Sequence, residues 1–206
     1  MQRLAGSADV FGREPAFPSI AVVSVDQPLL VLGSTQPDDV VHDADGVPVT
    51  RRRSGGGAVL LEPGRVVWVD VAVPAAHRLW DGDVGRAFHW LGAVWTDAIG
   101  ARARWHDGPL VRGPFSDLVC FAGLGPGEVT IDGRKVVGMS QRRTRAGALF
   151  QCAALVDWEP SRLAAMLGVG SAPLADIAVG LTPMTVADVE TAFLAALADA
   201  LAALVS

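Results

Sequence analysis

Arg51-Arg52-Arg53-Ser54-Gly55-Gly56-Gly57-Ala58-Val59 joins two apolar, strand-like runs, Val47–Arg53 and Ala58–Leu61. The architecture follows from how that connection is read. Glycine adopts positive φ without a steric cost and lets a ligand come close to the main chain. Successive N–H groups in such a turn form a nest for carboxylate or phosphate oxygens. The flanking arginines add charge, and Ser54 adds a hydroxyl. No Gly-Lys-Ser/Thr follows, so this is not a Walker A loop, and no helix follows, so it is not a dinucleotide fingerprint. A plain glycine-rich turn between strands is the simpler alternative.

A second segment, Val129 to Arg143, holds the chain's single lysine, Lys135, against 16 arginines. Lysine differs from arginine where a compact, mobile point charge is wanted instead of a planar fork. Arg134, Lys135, Arg142, Arg143 and Arg145 crowd this part of an acidic protein, a pattern that suits an anion site. A solvated basic hairpin would look the same. Gly138-Met139-Ser140 is no nucleophile elbow, because Arg142 stands where the second glycine belongs.

Outward from these segments, Ile20–Val25, Leu29–Leu32 and Arg65–Val73 also read as strands. In the last, Val67, Val69, Val71 and Val73 share one face, with Trp68 and Asp70 on the other. Pro63-Gly64 predicts a hairpin between Ala58–Leu61 and Arg65–Val73. A helix is predicted over Asp83–Ile99, with Val84, Phe88, Leu91, Trp95 and Ile99 on its apolar face. Further strands are predicted at Glu128–Ile131, Lys135–Ser140 and Ala148–Val156, with Asp132-Gly133 as a hairpin turn. Helices over Ser161–Leu167 and Ala187–Val205 close the chain, the second capped by Thr185 and Asp188. Strands first, with helices inserted and trailing, read as α+β.

The 206 residues suit one domain, 1–206, long enough to bury a core. No charge-free apolar run reaches the ~18–20 residues of a membrane span, and no apolar region follows Arg3 as a signal peptide requires. Cytoplasmic location without a membrane partner is the expectation. Cys120 and Cys152 make no disulfide framework, and the scattered His42, His77, His89 and His106 make no metal spacing, so no metal site is expected. The net charge of −5 argues against nucleic acid as partner.

Arg51–Val59 resembles the lipoate–protein ligase A signature Arg-Arg-x-Ser-Gly-Gly-Gly-Ala-Val. Gly133–Gln141 is similar to that family's Gly-Arg-Lys-Ile/Val-x-Gly-Ser-Ala-Gln, and Leu30–Gln36 to its hydrophobic–Gly-x-x-Gln strand end. All three occur in the family's order, over about residues 20 to 167. The resemblance implies the biotin/lipoate ligase (class II synthetase-like) catalytic fold, a mixed, mostly antiparallel sheet backed by helices, in a divergent member without the accessory C-terminal domain. It implies that Arg52, Ser54, Gly55, Gly56, Gly57 and Ala58 line the acyl and adenylate pocket with Gly138 and Gln141. Lys135 is then the catalytic electrostatic clamp on carboxylate and α-phosphate.

The implied reaction activates lipoate or octanoate, a small carboxylic acid, with ATP and Mg2+ as co-substrate. The acyl group then passes to a lysine of a lipoyl-domain acceptor protein. The departures are Leu60-Leu61-Glu62 for an aromatic or apolar residue and His-Asp, Gly64-Arg65 for Gly-Asn, Cys152-Ala153-Ala154 for His-Gly-Ser/Thr, and Met139-Ser140 for Ser-Ala. They leave two other readings open. One is an ATP-independent octanoyl or lipoyl transferase with a cysteine thiolate facing Lys135, Cys120 being the better candidate and Cys152 the other. The second is a non-catalytic relative that binds lipoate. Small buried apolar residues would account for both cysteines equally well.

Overall fold

The computed structural model describes residues 1–6, 10–11 and 14–204. Among them the strands run β1 (Gln2–Ala5), β2 (Ser19–Ser24), β3 (Leu29–Leu32), β4 (Val49–Arg51), β5 (Val59–Leu61), β6 (Val66–Pro74), β7 (Ala103–Trp105), β8 (Val129–Ile131), β9 (Arg134–Arg143) and β10 (Gly147–Leu155). The helices are α1 (His89–Ile99), α2 (Ser161–Met166) and α3 (Val186–Ala202). A seven-stranded sheet has the order β1-β2-β6-β10-β9-β8-β7, and a three-stranded sheet the order β4-β3-β5. Only β1–β2 and β3–β4 are parallel pairs. This is the expected α+β class with a mixed, mostly antiparallel sheet.

Strand alternation divides the large sheet into two faces. Register places Trp68, Asp70, Gln151, Ala153, Gly138 and Ser140 on one side. Val67, Val69, Val71, Phe150, Cys152 and Met139 lie on the other, under Leu91, Val94 and Trp95 of α1 and Val189, Phe193 and Leu197 of α3. Trp95 and Phe193 stack with centroids 4.1 Å apart. Each such side chain, fully buried, contributes roughly 1.5–3 kcal/mol, so this face is the structural layer. The first face is covered by the small sheet and α2, through Leu30, Leu61, Leu163 and Met166. No helix among the described residues is long and apolar enough to cross a membrane.

Several expectations change in detail. The hairpin at Pro63-Gly64 does not form: β5 pairs with β3, while β6 pairs with β2 and β10. The turn exists, with the Arg65 N–H donating to Glu62 O at 3.1 Å, but it carries the chain from one sheet to the other. A nine-residue strand buried from Val66 to Val73 demands long partners on both sides, which a three-residue β5 cannot provide. The helix expected from Asp83 begins as a 3-10 turn at Arg86–Phe88 and becomes α1 only at His89. Asp83 accepts the N–H of Arg86 at 2.8 Å, and Val84 is 58% exposed and outside the apolar face. The Thr185–Asp188 capping box is present. The last helix ends at Ala202, and Val205 lies outside the described residues. The short edge strands β1 and β7 have no counterpart among the strands expected from sequence.

Asp132 (φ 51°) and Gly133 (φ 78°) make the predicted tight turn between β8 and β9. A register shift follows, because Val129 faces Val137 while Thr130 faces Lys135. Two consecutive residues of β8 therefore span three of β9. This bulge brings Lys135 onto the face of Gly138 and Ser140, which a spacing of three would otherwise forbid.

Candidate functional site

Between that face and the small sheet lies a cavity of about 520 Å³. Arg52, Gly55, Gly56, Gly57, Cys120, Lys135 and Gln141 line it, joined by Gln36, Asp117, Glu128 and Ser140. The three sequence segments singled out above thus meet in one place. Ala58 is fully buried and does not reach the cavity. Its N–H donates to Leu118 O at 2.7 Å and its carbonyl accepts from Cys120 N–H at 3.0 Å, pinning the glycine loop beside Cys120. Of the five clustered cations only Lys135 lines the cavity. Arg143 instead stacks on Trp80 at 4.2 Å and donates to Gly82 O at 3.1 Å.

The glycine loop is held by close approach. A Cβ on Gly33 would sit 1.9 Å from Gly56 O, and one on Gly57 2.5 Å from the Val119 carbonyl carbon. Both positions require glycine, which explains two of the motif residues by contact alone. Gln36 fastens the same corner: its amide donates to Asp117 O and Leu118 O and accepts from Gly33 N–H at 2.9 Å. Arg52, 2% exposed, turns its guanidinium to the carbonyls of Gly55 (2.7 Å) and Gly57 (2.9 Å). Burial lowers its pKa from the ordinary arginine value, opposed by nearby Cys120 and Glu128. Because those carbonyls face Arg52, the loop's N–H groups turn elsewhere. Those of Gly55, Gly56 and Gly57 make no hydrogen bond among the described residues.

Lys135 is 4% exposed, and its three ammonium hydrogens have three acceptors. They are Cys120 O at 2.7 Å, Gly123 O at 2.8 Å and Glu128 Oε2 at 2.6 Å. Glu128 is equally buried and also accepts from Gly125 N–H (2.6 Å) and Met139 N–H (2.8 Å). From the sequence Glu128 is only the first residue of a strand. A lone carboxylate opening an apolar strand seven residues before the single lysine was the available signal.

The Cys120 thiol shares this wall. A Cβ on Gly138 would lie 3.2 Å from Cys120 Sγ and 3.3 Å from Lys135 Cε, so thiol, lysine stem and Gly138 are neighbours. Cys152 lies on the opposite face of β10, fully buried, and burial pushes its thiol pKa well up. It cannot face Lys135. The alternation of β10 decides this between the two cysteines.

Ser54 is 1% exposed and sits behind the wall. Its hydroxyl is 2.7 Å from Ser140 Oγ and donates to Gln151 Oε1 at 2.7 Å. Gln141, at the cavity's edge, has a buried amide without a hydrogen-bond partner among the described residues. Glu62 and Arg65, two departures from the motif pattern, lie outside the cavity: Glu62 pairs with Arg65 (3.2 Å) and Arg162 (3.1 Å), and Arg65 with Asp157 (3.0 Å). Among the described residues no group of three or more His, Cys, Asp or Glu side chains could hold a metal ion.

Comparison with known proteins bears on the family and the fold. The family model of the lipoyl protein ligase A/B catalytic domain matches residues 12–198. A lipoate-protein ligase A structure solved with ATP is similar at 17% identity and a TM-score of 0.73, over 97% of this chain and 83% of that one. A Thermoplasma acidophilum lipoate protein ligase solved with lipoic acid gives 15% identity and 0.64, over 88% and 71%. The bipartite ligase of that organism, studied with its E2 lipoyl domain, gives 18% and 0.67, over 88% and 70%. At these identities the structures speak for the fold. No curated protein matches the chain.

Proposed function

The chain belongs to the lipoyl protein ligase A/B catalytic-domain family, and from that premise we propose that it transfers a lipoyl or octanoyl group to a lysine of a lipoyl domain through a thioester on Cys120. The observation that carries this reading is the saturation of Lys135. Its hydrogens already have Cys120 O, Gly123 O and the Glu128 carboxylate as acceptors, while Cys120 Sγ, in no disulfide among the described residues, lies with the lysine stem against Gly138. An ammonium clamped by a buried carboxylate is a poor counter-ion for a second carboxylate and a phosphate. Arg52 is likewise committed to carbonyls. For a triphosphate with Mg2+, the other cation lining the cavity among the described residues is the exposed Arg112, itself paired with Asp117.

The chemistry balances without ATP. The Cys120 thiolate attacks the carbonyl carbon of an acyl thioester on a carrier; the new C–S bond forms as the carrier's C–S bond breaks, and the carrier leaves as a thiolate, which takes up the proton that Cys120 gave to solvent. The acceptor's lysine amine then attacks the Cys120 thioester, forming the amide as the amine proton passes to the departing thiolate. The unpaired N–H groups of Gly55, Gly56 and Gly57 suit the oxyanion that develops in each step. Lys135, fixed at the carbonyl of Cys120, holds the thiol's backbone in place.

The second reading is the ATP-dependent ligase, in which lipoate or octanoate becomes an acyl-adenylate. The same free loop N–H groups favour it, since they suit a phosphate as well as an oxyanion. The two separate in one experiment. Incubation with an octanoyl thioester should add one octanoyl mass to the protein at Cys120, lost in Cys120→Ser. The native protein should also alkylate at Cys120 and leave Cys152 unmodified until denatured. Pyrophosphate release with lipoate and ATP, undiminished in Cys120→Ser, would establish the ligase instead.

A further inference from the structure

Four polar side chains run from the cavity wall into the sheet, and their chemistry fixes which way every hydrogen points. Asp70 is 6% exposed, and one of its oxygens takes the Trp68 Nε1–H (2.8 Å) and the Gln151 Nε2–H (3.4 Å). A carboxylate only accepts. Gln151 therefore turns its NH2 to Asp70 and its oxygen to Ser54. Ser54 has a single hydroxyl hydrogen, and that oxygen takes it at 2.7 Å. The 2.7 Å contact between Ser54 and Ser140 then has Ser140 as its donor, whose hydroxyl also lies 3.5 Å from Gln151 O, a second and more distant inward acceptor. With its hydrogen directed inward, Ser140 shows the cavity a lone pair and no donor.

We propose that Ser140 determines acyl specificity: the site takes an acyl chain bearing a hydrogen-bond donor, such as the dithiol form of the lipoyl group, over a plain saturated chain. The inference rests on the acyl-transfer reading above. Ser140 stands two residues along β9 from Gly138, the neighbour of the Cys120 thiol, a distance of roughly 7 Å in an extended strand. An acyl group joined to Cys120 and running along β9 brings its far carbons to Ser140. There dihydrolipoyl carries S–H groups, whereas octanoyl has only C–H. A buried oxygen facing aliphatic carbon loses its hydrogen bond to water and gains none, while a thiol supplies one.

The test measures binding, not turnover. Calorimetry with dihydrolipoate and with octanoate gives the ratio of their Kd values for the wild type, Ser140→Ala and Ser54→Ala. The wild type should hold dihydrolipoate about five-fold tighter, the worth of one hydrogen bond of ~1 kcal/mol. Ser140→Ala should bring the ratio close to one. Ser54→Ala removes the nearer inward acceptor and leaves the Ser140 hydrogen only Gln151 O at 3.5 Å, so the ratio should fall there too, by less than in Ser140→Ala, although the Ser140 side chain is intact. An unchanged ratio in both variants, or tighter octanoate binding by the wild type, overturns the proposal while leaving acyl binding in place. If neither acid binds the wild type, the proposal falls for want of a chain-binding site, whereas the acyl-transfer reading is tested separately by the octanoyl adduct on Cys120.

Discussion

Replacing Lys135 with methionine removes a buried ammonium and leaves the carboxylate of Glu128, with 6% of its side chain exposed, without its ion-pair partner. Breaking a buried ion pair from one side costs about 3–5 kcal/mol. Glu128 keeps the N–H groups of Gly125 and Met139, which places the loss near the lower end, about 3 kcal/mol. For a chain of this size each kcal/mol moves Tm by roughly 2–4 °C, so Lys135→Met should melt about 6–12 °C lower. Glu128→Gln should cost a similar amount from the other side. Replacing both partners removes the charges together, and such exchanges are often near neutral. The double variant should therefore be more stable than the sum of the singles predicts, by about 2 kcal/mol or more. Urea denaturation of the four proteins, compared as a thermodynamic cycle, measures this directly. Additive losses would refute the view that Lys135 and Glu128 act as one unit. The cycle also qualifies any activity assay, because a single Lys135 substitution confounds lost chemistry with lost stability.

Two shorter predictions come from the same geometry. Gly138→Ala places a methyl group 3.2 Å from Cys120 Sγ and 3.3 Å from Lys135 Cε; it should cost about 1–3 kcal/mol of stability yet lower acyl transfer by roughly 100-fold through misplacement of the thiol, and equal effects on melting and rate would contradict this. Asp188 has its pKa lowered by the backbone N–H and then the hydroxyl of Thr185. Its contribution is thus full above the unfolded aspartate value of ~3.9 and fades as pH falls through the folded value. Asp188→Asn should have a lower urea midpoint than wild type at neutral pH, with the gap closing in acid; a gap independent of pH would show that the carboxylate is not the group involved.

Much of the architecture was legible because its signals are local. The valine alternation of β6, the Asp132-Gly133 turn and the Thr185–Asp188 cap depend on residues one to four positions apart, and each lies where expected. The short edges β1 and β7 were not legible, since three or four residues have no periodicity and exist through pairing with distant neighbours. Pro63-Gly64 gave a turn but not its partner: pairing is settled by the strand length that the core of β6 demands.

The glycine loop and the Lys135 segment are likewise products of sequence. Which hydrogens their side chains have left to offer is not. Sequence named Arg52 and Lys135 as cations for a ligand, and tertiary structure committed both to oxygens of the protein itself. It placed Cys120 beside Lys135 and Cys152 on the opposite face of β10, and a bulge in β9 put Lys135 on the face of Gly138. Residue identity limits what a group can bond. Burial and register, set by residues up to a hundred positions away, decide what it does bond, because a buried polar atom takes whatever partner the fold brings to it.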